Sequence, residues 1–443
     1  MISFLSSIFF AQTIPKEDYS ITRFEALNTV FKGTYAVSSL VLSYGSEKEI
    51  NRQMKAIFHR VGWDLSKLSE KERIYLKFFG KFNVTKVWFP PYYYTQRSSE
   101  PILSRVVQSF KSLHSVREIV ATDPHAYGMT RYSCCCIPPS YDHHSTVKFY
   151  SDLFKTVRGL TRVNISHRIS IHILNELTAV VPHIKSITAT VWEHTSYIPT
   201  LPAQLNTCMA RLSQLTTIRL QSDALTDACM AAIVKANPNI TDVDVSRCGS
   251  LTDAAIGSIG TLMHLARINM SNGFFKTNKF TLACFQHLSR CLSLRKMYII
   301  DFGDYSTQHV LSEIANTITS QLQELYMDSC WISPGEQTMF RSFPELRVLS
   351  IGRASSNTLS QLAETNPLLE KIDMMACPIL VSEIDSLVRF RKLKVFRYGL
   401  FKHCDEVKEE LEKLKKRTMH LQNVKIDYRP PPPPPTEPYD SVR

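Results

Sequence analysis

Cysteine and histidine are the side chains of this 443-residue chain with the widest chemical reach. Cys134, Cys135, Cys136, His143 and His144 crowd one stretch, "TDPHAYGMTRYSCCCIPPSYDHHSTV". Thiolates beside imidazoles suggest zinc. A tetrahedral ion needs ligands at spacings such as C-x-x-C, however, and three adjacent cysteines do not easily all reach one ion. Pro138 and Pro139 interrupt any helix there, so residues 122–147 read as an inserted loop without a metal site. Cys248, Cys330 and Cys377 are a different case. Each stands three residues after an apolar strand residue, Val245, Met327 and Met374 respectively. Equal placement at separate points of the chain argues for a structural thiol, which is small and easily buried, and against a redox or metal centre.

Other catalytic signatures are missing. The sequence has no phosphate-cradling glycine loop, no zincin helix and no nucleophile elbow, and its 14 glycines disfavour a glycine-rich cofactor site. The expectation is a non-enzyme with no catalytic residues, cofactor or metal.

Composition sets the class. Apolar residues make up 44% and charged residues 21%, which is a folding composition. The balance of 52 basic to 40 acidic residues gives +12. That excess is compatible with nucleic acid or an acidic partner and requires neither. No apolar run is long enough to span a bilayer. Ile2 to Ala11 is apolar but lacks the preceding basic residue of a signal peptide, and the first arginine, Arg23, comes late for a mitochondrial presequence. The 11 cysteines are unevenly spaced, and the glycosylation-type triplets at Asn83, Asn164 and Asn239 overlap predicted strands. Reduced thiols in the cytoplasm or nucleus fit best; mitochondrial and secreted destinations are the alternatives.

The strongest signal is a repeat. Ile240, Val243 and Val245 have the spacing L-x-x-L-x-L. It recurs at Leu215/Ile218/Leu220, Leu265/Ile268/Met270, Leu294/Met297/Ile299, Leu322/Leu325/Met327, Leu346/Leu349/Ile351, Leu369/Ile372/Met374, Leu393/Phe396/Tyr398 and Leu421/Val424/Ile426. Upstream it continues at Ile184/Ile187/Ala189 and Leu160/Val163/Ile165, and more faintly at Val116/Ile119/Ala121 and Val84/Val87/Phe89. In each unit a short strand sends two alternate apolar residues inward, then a helix returns. In "SLTDAAIGSIG", Thr252 is a helix cap and Asp253 occupies the first turn. Thr226 repeats the cap one unit earlier, and Pro238 stops that helix. A single unit cannot bury its own apolar face, so neighbours must stack.

The motifs "ITDVDVSRCGSLTDAAI" and "LTTIRLQSDALTDACMAAIV" resemble the leucine-rich repeat superfamily, in particular the cysteine-containing subclass found in F-box/LRR ubiquitin-ligase receptors. The resemblance covers about Leu160 to Ile426. It implies an α/β solenoid, a curved horseshoe with parallel inner strands and outer helices, that binds protein and does no catalysis. A small helical N-terminal cap precedes it over residues 1–82, where Ile50, Met54, Ile57 and Phe58 have helical spacing. Family members place an F-box there to dock a Skp1-like adaptor. Residues 14–82 lack a Leu-Pro opening, so a cap is expected ahead of a divergent F-box.

The solenoid is assigned to residues 83–428 and a proline-rich tail to 429–443. Pro430 to Pro435 form an extended polyproline run. Arg429, Pro432 and Pro435 match the spacing of an SH3 ligand, and WW domains or profilin accept similar runs; a solvated tail is the simpler expectation. "KEELEKLKKR" reads as an ordinary outer helix with Val407, Leu411 and Leu414 inward.

The residue between the two inward positions of each strand should line the concave face. These are Asn164, Thr188, Arg219, Asp244, Asn269, Tyr298, Tyr326, Ser350, Asp373, Arg397 and Lys425. Arg267, Lys296 and Lys371 lie two positions earlier on their strands, and acids mix in at Asp242 and Glu324. Arg219, Asp244, Asn269, Tyr298, Tyr326, Asp373 and Arg397 are the candidate partner-binding residues. Tyr298 and Tyr326 are the candidate anchors, since exposed aromatics favour interfaces. Mixed sign fits a protein ligand better than a nucleic-acid backbone. The readings that follow are a protein-binding module, an F-box-type substrate receptor of a cullin ligase, or an RNA-associated or mitochondrial assembly factor.

Overall fold

The structure, a computed structural model, describes residues 86–89, 116–121, 143–157, 159–191, 200–271, 279–300, 310–318, 321–374, 377–399 and 404–429. The expected N-terminal cap or F-box, the loop as far as residue 142, and Pro432 and Pro435 lie outside these residues.

Strands follow in chain order: β1 (Lys86–Phe89), β2 (Glu118–Ala121), β3 (Arg162–Ile169), β4 (Ser186–Val191), β5 (Thr217–Gln221), β6 (Asp242–Asp244), β7 (Arg267–Asn269), β8 (Lys296–Tyr298), β9 (Glu324–Ile332), β10 (Val348–Ala354), β11 (Lys371–Met374), β12 (Val395–Gly399) and β13 (Lys425–Arg429). They form one 13-stranded sheet in sequence order, and every neighbouring pair is parallel. This is the open leucine-rich repeat solenoid that the spacing predicts.

Register follows the apolar repeat. Val87 pairs with Ile119, Ile119 with Val163, Val163 with Ile187 and Ile187 with Ile218. The faint upstream units therefore run in phase with the clear ones. The two inward residues of a strand are fully packed: Ile218 and Leu220, Val243 and Val245, and Ile268 and Met270 are each at most 1% exposed. Burying a side chain of this size stabilises the fold by about 1.5–3 kcal/mol.

The last unit differs from its sequence reading. Phe396 pairs with Ile426 and Arg397 with Asp427. The inward pair of β13 is thus Ile426 and Tyr428, two residues beyond Val424 and Ile426. The central position belongs to Asp427, and Lys425 takes the outer one. β13 also runs through Arg429, which was assigned to the tail.

The return segments are mostly α-helical, including Ile171–Val180, Leu201–Ala210, Asp227–Ala236, Asp253–Ile259 and Cys404–Arg417. Two are 3₁₀ turns, Gln337–Ser342 and Val381–Arg389. A helix spans His143–Thr156, so the inserted stretch is already helical before Val147. Val407, Leu411 and Leu414 of the charge-rich helix are buried as expected.

Polar groups stitch coil to coil. Thr226 and Thr252 cap their helices, accepting from the N–H of Cys229 (3.3 Å) and Ala254 (3.2 Å). The aspartate beside each cap then reaches the next coil. Asp227 accepts from the Thr252 N–H at 2.9 Å and hydroxyl at 2.7 Å, and Asp253 accepts from the Thr281 N–H at 2.8 Å. Two buried asparagines, each followed by proline, work the same way at the helix ends. Asn237 accepts from the Leu215 N–H (2.7 Å) and donates to the carbonyls of Leu212 (2.8 Å) and Ile233 (2.9 Å). Asn366 donates to Phe340 (3.0 Å) and Phe343 (2.9 Å). Gly352 lets β10 approach the bulged β9, since a Cβ there would lie 1.2 Å from the Asp328 carbonyl oxygen.

Asn237→Ala leaves a buried N–H and carbonyls without partners, a loss of about 2–3 kcal/mol. Thermal unfolding should show a clear drop for Asn237→Ala and almost none for Lys235→Ala on the exposed side of the same helix. Equal melting of the two variants would contradict the stitching role.

Candidate functional site

The position of the repeat cysteines sets whether their thiols are available for chemistry. Cys248 donates to the Leu220 carbonyl at 3.1 Å, Cys330 to Ile299 at 3.5 Å and Cys377 to Ile351 at 3.4 Å. Each acceptor is the second inward residue of the preceding coil, so the three thiols do one job. All three are buried and unbridged. Burial pushes the Cys248 thiol up to about 12 and raises Cys377 as well, which suppresses the reactive thiolate. Among the described residues, no group of three His, Cys, Asp or Glu side chains could hold a metal ion, and no helix is long and apolar enough to cross a membrane. Cys134, Cys135 and Cys136 lie outside those residues, and His143 and His144 open the helix His143–Thr156.

The concave face carries two rows of side chains per strand, the strand's first residue and its central one. They alternate with the packed residues, so strand geometry alone turns them outward. The rows are interlocked. Asp242 lies 2.6 Å from Arg219 and 2.7 Å from Arg267, bridging β5 and β7. Asp244 accepts from Asn269 at 2.9 Å and from its own strand end, the Ser246 N–H, at 3.0 Å. Lys296 pairs with Glu324 at 2.7 Å. Arg397 lies 3.4 Å from Asp373 and 3.0 Å from Asp427. Burial works against the Arg267 charge, but Asp242 and Asp244 outweigh it and hold its pKa above the ordinary value. The hydrogen bond from Arg397 holds the Asp427 carboxyl below the usual range, with Lys425 adding to it.

At the centre stand the tyrosines. The Tyr298 and Tyr326 rings stack 4.2 Å apart with planes within 4°. The Arg267 guanidinium carbon lies 4.8 Å from the Tyr298 ring centre, and the Lys371 ammonium 5.9 Å from that of Tyr326. Both distances suit cation–π attraction. The result is a four-membered stack, Arg267, Tyr298, Tyr326, Lys371, running across β7 to β11. The Tyr326 hydroxyl donates to Glu324 at 3.2 Å. Burial pushes its phenol well above the ordinary value, with Tyr298 and Glu324 adding to the shift.

The structure brings Arg219, Asn269, Tyr298, Tyr326, Asp373 and Arg397 onto one surface. Two expectations need correction. Asp244 is only 9% exposed and Ser350 4%, so neither is a free contact. Asp244 is covered because Asn269 and Arg267 close over it, and Ser350 because its hydroxyl is turned down to donate to Asp328. Asp328 and Asp427 belong to the face and were missed. Asp328 continues the alternation Glu324, Tyr326, Asp328, which was the available signal.

No protein-family model matches the chain. Solved structures that resemble it include an internalin and a yeast complex. The internalin, from Listeria monocytogenes str. 4b F2365, is 13% identical, with 91% of this chain and 92% of that chain covered and a TM-score of 0.39. The yeast Rad7 and Elc1 complex gives 14% identity, coverages of 88% and 94%, and a TM-score of 0.42. The strand register described above is what establishes the fold.

In mildly alkaline buffer, iodoacetamide should leave Cys248, Cys330 and Cys377 unmodified in the folded chain and alkylate all three after unfolding. Peptide mapping reads the outcome, and labelling of any of them in the folded chain would contradict the structural role.

Proposed function

We propose that this chain is a non-enzymatic protein-binding module whose ligand seats on the concave face around Tyr298 and Tyr326. The observation that carries the reading is the capped tyrosine stack. Its rings are held parallel by each other and by a cation at either end, so binding costs them little further rotamer freedom. Rigid aromatics beside arginine are the side chains that concentrate binding energy at protein interfaces. The surrounding face favours a protein over a nucleic acid. Carboxylates stand among the basic groups on β6, β9, β11 and β13, so a phosphate chain laid across the face would not meet the uniformly basic groove that tracks a nucleic-acid backbone. The equivalent thiols at Cys248, Cys330 and Cys377 support placing the chain in the cysteine-containing subclass of leucine-rich repeats.

The test is retention of partners on the tagged full chain purified from its own cells. Tyr298→Ala with Tyr326→Ala should lose a protein that the wild type and Lys235→Ala both keep, while circular dichroism and melting stay close to wild type. Partners retained equally by all three would refute the concave seat.

A further inference from the structure

The concave face is layered by charge, although its formal charges nearly balance. The carboxylates sit low, with side-chain exposures of 13% for Asp244, 15% for Asp373, 16% for Asp242 and 21% for Glu324. The cations paired with them mostly reach further out, 39% for Arg219 and 43% for Lys296. An approaching ligand therefore meets ammonium and guanidinium groups before it meets carboxylates. Coulombic interaction weakens with distance, so the outer groups dominate at contact.

One place on this face combines that layering with a recess. On β10 the two outward positions hold the small residues Val348 and Ser350. Their partners across β9 are Glu324 and Tyr326, and across β11 Lys371 and Asp373. Neighbouring strands lie about 4.8 Å apart, so β10 forms a step about 10 Å wide between taller walls. Ser350 is buried and its hydroxyl is engaged by Asp328, which leaves the floor without a free donor. The Lys371 ammonium arches across this step to the Tyr326 ring. None of the ion pairs among the described residues includes Lys371, whereas Arg219, Arg267, Lys296, Arg397 and Lys425 each have a carboxylate within 4 Å.

We propose that the step at β10 seats an acidic side chain of the bound protein segment, with Lys371, held over the face of the Tyr326 ring, as its counter-charge. The proposal rests on the protein-binding reading above and deepens it. A carboxylate suits the site because it satisfies an ammonium that, among the described residues, has no anionic partner. A lysine or arginine entering the same step would meet Lys371 head-on. A phosphate backbone, with a charge at every nucleotide, needs a row of unpaired cations, whereas Lys296 and Arg397 beside the step are already paired with Glu324 and Asp373.

The probe is a random peptide library displayed against the full-length chain, with selected peptides measured by fluorescence anisotropy. The expected result is peptides carrying Asp or Glu whose affinity falls about tenfold with Lys371→Met, as for loss of a charge-assisted hydrogen bond. Lys371→Arg should restore most of it, and Lys235→Met, which removes the same charge from a helix, should change little. The melting temperature should survive Lys371→Met, because no ion pair is lost. Selected peptides that depend on Tyr298 and Tyr326 but lack acidic residues, or ignore Lys371→Met, would overturn this proposal while leaving the protein-binding reading intact. Peptides indifferent to the tyrosines as well, or an empty selection, would count against both. Retention of a single-stranded RNA that falls with Lys371→Met would assign the step to phosphate and overturn the acidic-peptide assignment.

Discussion

No coil of this chain can bury its own apolar face, and the rest of the structure depends on that constraint. A strand of three to nine residues and one short return segment leave two inward side chains exposed at each end of the unit. Only the next coil covers them. The sequence meets the constraint twice over. Apolar pairs such as Val243 and Val245 fill the space between coils. Polar groups then fix the distance and the slide, because each has its partner one coil away. The thiols reach back to a strand carbonyl, the asparagines to a helix end, and the Thr-Asp pairs forward to the next cap. A shift of one residue would break all three sets at once, so register is over-determined.

That rigidity makes a surface out of what would otherwise be solvated strand residues. Outward side chains of successive strands are held about 4.8 Å apart, close enough for ion pairs and ring stacking across strands. The carboxylates are drawn low by the cations beside them, as with Asp242 between Arg219 and Arg267. The tyrosines stack because two adjacent strands present them at the same position. The face is thus pre-formed before any ligand arrives, which is the condition under which a small aromatic and cationic cluster can supply binding energy.

Much of this was legible in the sequence because the repeat is one-dimensional. A fixed apolar spacing determines which residues are inward, and the thirteen-stranded register follows it even in the faint units at Val87 and Ile119. The thiols were legible for the same reason: an equal offset from each strand implies an equal role. What escaped depends on neighbours one or two coils away or on competing spacings. Val424 and Ile426 satisfy the repeat as well as Ile426 and Tyr428 do, so pattern alone placed Lys425 where Asp427 stands. Asp244 reads as exposed until Asn269 and Arg267 are seen to close over it. The reach of Lys371 across β10 to Tyr326 depends on Val348 and Ser350 being small, a relation between three strands that no single repeat displays. The asparagines at 237 and 366 did carry a signal, a shared Asn-Pro after a helix, whose meaning emerges only once the helix end is seen against the previous coil.

A protein ligand seated on the outward side chains of β7 to β11 would cover them. Hydroxyl-radical footprinting of the full chain, free and with its retained partner bound, reads that coverage at the side chains themselves. Met263 and Met419, 58% and 84% exposed and remote from the inner strand face, serve as internal references. Oxidation of Tyr298 and Tyr326 should fall on binding while Met263 and Met419 react as before. Unchanged tyrosines with protection at Met263 or Met419 would place the ligand on another surface and contradict a seat on the strand face.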